Sequence, residues 1–196
     1  MAEVELRPAT KDDVPSLAPL VVMAGDGLFD ALYQGAIPGV PTVKIIERRL
    51  HRIGTTKSYE NCWVAAHQKK VVGGLNAYPI DAEAADPANP LLPPDRHYLM
   101  EPFKHLDAPG SFYLNTMAVI PEYRGHGVGT KLLSFARSYA QESGLRELSL
   151  LVFEQNTRAA ALYNRFGFKV VKRRPAIAHE LMRYSSGNIL LMTCPV

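Results

Sequence analysis

The segment ELSLLVFE, residues 147–154, is apolar on both of its faces: Leu148, Leu150 and Val152 alternate with Leu151 and Phe153. Successive side chains of a strand point to opposite sides, so this stretch belongs in the centre of a sheet that is covered above and below. Its neighbours supply the covering layers. GVGTKLLSFARSYAQESG before it predicts a helix with Val128, Leu132, Leu133, Ala136, Tyr139 and Ala140 on one stripe and Gly144 as the stop signal. NTRAAALYNRFG after it predicts a short helix with Ala159, Leu162, Tyr163 and Phe166 facing inward. SFYLNTMAVI, FKVVKRR and NILLMTCPV read as further strands, so the second half of the chain alternates strand and helix.

The first half is compatible with the same layering. VELRPAT reads as a short strand, and KDDVPSLAPLVVMAG as a helix capped by Asp12 or Asp13 with Pro15 in its first turn. A second helix is predicted over 42–53, with Val43, Ile46, Leu50 and Ile53 on one face. NCWVAAHQKKVVGGLNAYPI reads as a hairpin around Gln68–Lys70. Residues 81–110 are proline-rich and long for a connection, which points to a functional insertion between the third and fourth strands or to a helix near 95–107.

The 196 residues suit one domain, 1–196, and the 47% apolar and 21% charged composition is that of a packed globular chain. A formal charge of +3, with no basic block longer than KRR at 172–174, fits a small polyanion and argues against a nucleic-acid partner. No basic leader precedes an apolar stretch, and no run approaches the roughly 18 apolar residues of a membrane span, so a cytoplasmic protein without a membrane partner is expected. Cys62 and Cys194 sit in apolar surroundings as buried thiols do, and the six histidines have no ligand spacing; no metal is expected.

Between the fourth strand and its helix lies RGHGVGT, residues 124–130. The first N–H groups of a helix have no internal partner and carry the positive end of its dipole. Glycines at 125, 127 and 129 remove the Cβ atoms that would hold a phosphate away from them, and Arg124 adds charge, so the loop suits a pyrophosphate. A dinucleotide fingerprint fails because Thr130 stands at its third glycine, and the P-loop spacing fails too. A tight turn without a ligand is the alternative.

RGHGVG, within TMAVIPEYRGHGVGTKLLSFA and followed by NTRAAALYNRFGFKVV, resembles the Arg/Gln-x-x-Gly-x-Gly/Ala loop and the following helix of the GCN5-related N-acetyltransferases (GNAT). The resemblance covers residues 112–172, about a third of the chain. It implies an α/β (α+β) fold: a mixed, mostly antiparallel sheet of about seven strands, splayed between the fourth and fifth, with helices on both faces. It also implies acetyl-CoA as cosubstrate, its pantetheine arm pairing with the fourth strand as an added strand would.

Carried over residue by residue, the resemblance puts Met117, Ala118 and Val119 against the pantetheine and thioester. Arg124, Gly125, His126, Gly127, Val128, Gly129 and Thr130 take the pyrophosphate. Asn156 contacts the pantetheine, and Tyr163, two turns along the same helix face, protonates the departing thiolate. The implied reaction is direct attack of an amine of a small molecule, amino acid or peptide on the acetyl group. Longer acyl groups, a hydroxyl acceptor or a non-catalytic CoA-sensing role are the alternatives. The acceptor is expected among 23–35, 92–108 and 174–188, and many members of the family pair as homodimers. A general base is not legible, since Tyr113, Asn115 and Leu151 occupy the usual strand positions. A water chain to Glu154, Glu101, His97 or His179, or an acceptor with a low-pKa amine, would supply the need.

Overall fold

The computed structural model describes residues 4–184 and 186–196. Seven strands form one sheet: β1 (Glu5–Pro8), β2 (Cys62–His67), β3 (Lys70–Pro79), β4 (Phe112–Val119), β5 (Glu147–Phe153), β6 (Lys169–Pro175) and β7 (Asn188–Pro195). Their order is β1-β2-β3-β4-β5-β7-β6, and β7 inserts between its two predecessors. Every neighbouring pair is antiparallel except β4 and β5. The β2–β3 hairpin turns through Gln68 and Lys69, both left-handed at φ 49° and 68°, the conformation whose twist matches flanking strands.

Five helices cover the sheet: α1 (Val14–Ala24), α2 (Leu28–Tyr33), α3 (Thr42–Leu50), α4 (Val128–Glu142) and α5 (Thr157–Phe166). Two adjacent glycines of β3 show how they divide. A Cβ on Gly73 would meet Val128 of α4, and one on Gly74 would meet Leu17 and Leu20 of α1. Consecutive strand residues point to opposite faces, so α4 and α1 lie on opposite sides of the sheet. The core is correspondingly double. Leu132, Leu133 and Ala136 pack with Leu148, Leu150 and Met192 on one side, while Leu17, Ile45 and Ile46 pack with Phe153, Ile189 and Leu191 on the other. The alternation in β5 is thereby satisfied, and burying each of these large side chains contributes about 1.5–3 kcal/mol.

The start of α1 is tied to β1 through one carboxylate. Asp13 accepts from the main chain and hydroxyl of Thr10 at 2.8 and 2.9 Å, and from the Arg7 guanidinium at 2.7 and 2.8 Å. Those bonds pull its pKa down to about 2.

Some expected details differ. The second predicted helix stops at Leu50, and Ile53 lies outside it, largely exposed; its buried face is Thr42, Ile45, Ile46 and Leu50. In the insertion the helix is of the 3₁₀ type, over Pro94–Phe103, with another over Ile80–Ala85, because prolines deny the chain the donors that an α-helix needs. Tyr139 is more exposed than the rest of its stripe, at the rim of an aromatic cluster with Trp63, Phe112 and Phe135. No helix among the described residues is long and apolar enough to cross a membrane.

Candidate active site

The site begins where β4 and β5 part. They pair only over Phe112–Leu114 and Leu148–Leu150. One residue further on, Asn115 is skipped in the β3–β4 register, where Asn76 faces Thr116 and Ala77 faces Leu114. That extra residue is a bulge, which bends β4 and sharpens its twist. The bend is held by a buried amide: Asn115 Nδ2 donates to Asn76 Oδ1 at 2.7 Å, and Asn76 Nδ2 donates to the carbonyls of Thr56 and Asn61. From Thr116 to Val119 the β5 side of β4 is left without a strand partner, and its main-chain groups face a cavity of about 1110 Å³.

That cavity opens at one end onto the first turn of α4. Gly125 and Gly127 are left-handed, at φ 79° and 80°, and no atom beyond their chain neighbours lies within 4 Å of where a Cβ would stand. The backbone needs glycine there, and the space above it is open to a ligand. Gly129 has a second reason: a Cβ there would come within 3.1 Å of Leu162, so it also sets how closely α4 approaches α5. Thr130 is exposed at the same mouth. The Arg124 guanidinium donates from Nε to the Val119 carbonyl at 2.9 Å and reaches Met23 Sδ at 3.0 Å, which holds it across the cavity from the end of α1. Two of the residues expected here do not line the cavity. His126 is an exposed ring bonded to the Arg124 carbonyl, and the Val128 side chain is buried in the α4 core, leaving only its main chain to the loop.

Along the middle run Met117, Ala118 and Val119 of β4, with Asn156 and Tyr163 facing them from α5. Asn156 caps α5, its Oδ1 accepting from the Ala159 N–H at 3.1 Å. Its Nδ2 donates to Asp26 Oδ2 at 2.8 Å. The Tyr163 hydroxyl has no hydrogen-bond partner among the described residues, and burial, with a smaller contribution from Asp26, pushes its pKa up to about 12. It is therefore protonated at neutral pH.

Asp26 belongs to the 23–35 segment, one of those expected to meet the acceptor. It sits between α1 and α2 in a left-handed conformation, φ 49°. The turn is pinned from behind: the Arg183 N–H donates to the Asp26 carbonyl at 2.8 Å, and a Cβ on Gly27 would strike the Leu181 carbonyl. Burial raises the Asp26 pKa against the opposing pull of Asn156, Arg183 and Arg124. By contrast, none of Glu154, Glu101, His97 and His179 lines the cavity. Glu154 accepts from Asn188 at 2.6 Å and Glu101 pairs with Lys104, both outside it. Asp26 is not legible as a cavity residue in the sequence, because nothing in a helix–turn–helix segment announces which turn will be folded over a strand much later in the chain.

Residues of α2, α3 and the 81–110 segment line the same cavity. Asn89 of that segment donates to the Tyr33 hydroxyl at 2.8 Å, and Lys57 pairs with Glu83 and, at 3.7 Å, with Asp86.

The residues that carry the bulged, splayed strand and the glycine-capped helix fall within the match to one family model. The description of that model is the acetyltransferase (GNAT) family, and it matches residues 31–168. The chain belongs to the GNAT family. It is 39% identical over 57 residues to a thialysine N-epsilon-acetyltransferase of Bos taurus, covering 29% of this chain and 34% of that one. It is also 39% identical over 61 residues to the N-alpha-acetyltransferase MAK3 of Arabidopsis thaliana, 31% and 32% of the two chains. These matches span about a third of the length of the curated relatives. Among solved structures, an N-acetyltransferase from Staphylococcus aureus Mu50 superimposes with a TM-score of 0.69 at 23% identity, over 98% of this chain and 100% of that one. A chain of the NatC complex bound to Gag peptide and CoA does so with 0.58 at 18%, over 99% of both. The GNAT fold expected from the motifs, with its parallel β4–β5 pair inside a mostly antiparallel seven-stranded sheet, is the fold observed.

Proposed function

We propose that this GNAT protein transfers the acetyl group of acetyl-CoA directly to an amine. One observation carries the reading: a single cavity runs from the open glycine turn at α4, along the unpaired edge of β4, to a protonated tyrosine and a carboxylate. The residues fit the cosubstrate, since a pyrophosphate would lie over Gly125 and Gly127 where Cβ atoms are missing. The free main chain of Met117, Ala118 and Val119 suits an extended pantetheine arm. The thioester supplies the activated acyl group.

In this reading N–H groups of the 117–119 segment stabilise the negative charge that develops on the acetyl oxygen. Asp26, its basicity raised by burial, takes the proton that the amine loses. Tyr163 donates its hydroxyl toward the sulfur. A thiolate, with a pKa of about 8.5, is a weaker base than a phenolate held near 12, so the tyrosine stabilises the departing charge chiefly by hydrogen bonding. Residues 81–110 belong to the same domain in this reading and wall the acceptor end. Curated relatives are by name a thialysine N-epsilon-acetyltransferase and an N-alpha-acetyltransferase, which supports an amine acceptor without choosing one.

The test is release of CoA thiol, with mass spectrometry of products, from acetyl-CoA and a panel of amines, amino acids and peptides. An acetylated amine is expected. CoA binding with no product on any acceptor, including hydroxyl compounds and longer acyl donors, would replace catalysis with a sensing role.

A further inference from the structure

The cationic groups that line the cavity beside the 81–110 segment are not alike. Lys57 is matched by two carboxylates, Glu83 and Asp86. Arg49, on α3, also lines the cavity and is half-buried. Among the described residues its guanidinium has no carboxylate within 4.0 Å and makes no hydrogen bond. It lies over the Phe29 ring, 5.6 Å from the centroid, a contact that leaves its N–H donors unused. Arg52, one turn further on, lines the same wall, and its bonds go only to neutral oxygens, Asn89 Oδ1 at 3.4 Å and the Ala88 carbonyl at 3.3 Å. A half-desolvated guanidinium is costly to leave unpaired, and its fork of donors matches a carboxylate or phosphate. Two other helix arginines are used structurally: Arg96 donates to the Ala31 carbonyl, and Arg137 is stacked on Phe166 and bonded to its carbonyl.

Building on the acetyl-transfer reading, we infer that the acceptor is an amine that also carries an anionic oxygen group, and that Arg49 receives this group. The cavity is then polarised for a zwitterion. Asp26 lines it near Tyr163, on which its charge acts, and Arg49 lines it from α3. An α-amino acid, a peptide with a nearby carboxylate and an aminoalkyl phosphate all present this chemistry.

The experiment uses matched pairs: amino acids and their carboxamides, dipeptides and dipeptide amides, phosphoethanolamine and ethanolamine. Binding of each to the CoA-saturated protein is measured by calorimetry, and thiol release from acetyl-CoA is measured separately. The acidic member of the best-bound pair should bind at least tenfold more tightly than its neutral twin, and the type of pair identifies carboxylate or phosphate. Arg49→Met should collapse that ratio toward one, Arg49→Lys should keep part of it, and Arg48→Met, on the exposed side of the same helix, should retain it. Equal or tighter binding of the neutral twins overturns the inference. So does a ratio that survives Arg49→Met, or binding of no member of any pair. Failure of acetyl transfer itself is distinguishable, because acidic acceptors would then bind without releasing thiol.

Discussion

The Asn156 side-chain amide donates 2.8 Å to Asp26 Oδ2, joining the cap of α5 to a turn 130 residues earlier. Both residues line the cavity that Tyr163 also lines, and the bond holds the carboxylate there. Asn156 therefore has two duties, capping its helix through Oδ1 and orienting Asp26 through Nδ2.

Asp26→Asn should lower kcat/KM about 10²–10⁴-fold and remove the acidic limb of its pH profile. It should also stabilise the fold. Burial raises the Asp26 pKa, so the charged form is penalised in the native state, and stability falls as pH rises through the folded pKa. The variant should therefore melt higher than the parent at pH 7, with the difference vanishing at pH below the carboxylate's unfolded value. Unchanged turnover would remove Asp26 from the reaction.

For Tyr163→Phe, kcat should fall about 10- to 100-fold while the CoA Kd changes less than threefold. The hydroxyl has no internal partner among the described residues, so deleting it leaves nothing unpaired. A large rise in Kd with normal kcat would make it a binding residue.

Gly127→Asp should weaken CoA binding by at least a hundredfold in calorimetry. The substitution places a carboxylate in the open space above the first turn of α4, against a doubly charged ligand. Gly39→Asp serves as the control, since Gly39 has the same left-handed backbone, the same open surroundings and a position away from the cavity. Equal CoA affinity in the two variants would disprove the loop assignment.

Asp13→Ala should cost about 1–2 kcal/mol at pH 7 in urea titration, a figure that allows for the partial exposure of Arg7. The Arg7 bonds hold the Asp13 pKa near 2, so this stability is present above the unfolded carboxylate value and is lost as pH falls through about 2. The gap between parent and variant should close over that window, with CoA affinity unaffected.

The elements that were legible early are those whose signal is local. β5 announced its central place through five apolar residues spread over both faces, and the glycine turn and α4 through helix-end chemistry. The Val128 side chain lies in the core, as its place on the α4 stripe implies, so only its main chain is offered to the loop. Ile53 continues the helical period of α3, but the helix has already ended at Leu50.

Residue order alone determined the strand–loop–helix unit and the residues offered to a pyrophosphate, because periodicity, glycine spacing and helix ends are properties of short stretches; the mostly antiparallel sheet was implied by the family resemblance. Only the tertiary fold decided that Asp26 would line the same cavity as Tyr163 and that Arg49 would line it without a carboxylate. Burial and the pairing of charges depend on which segments the sheet brings together, and the bulge at Asn115 opens the cleft in which they meet.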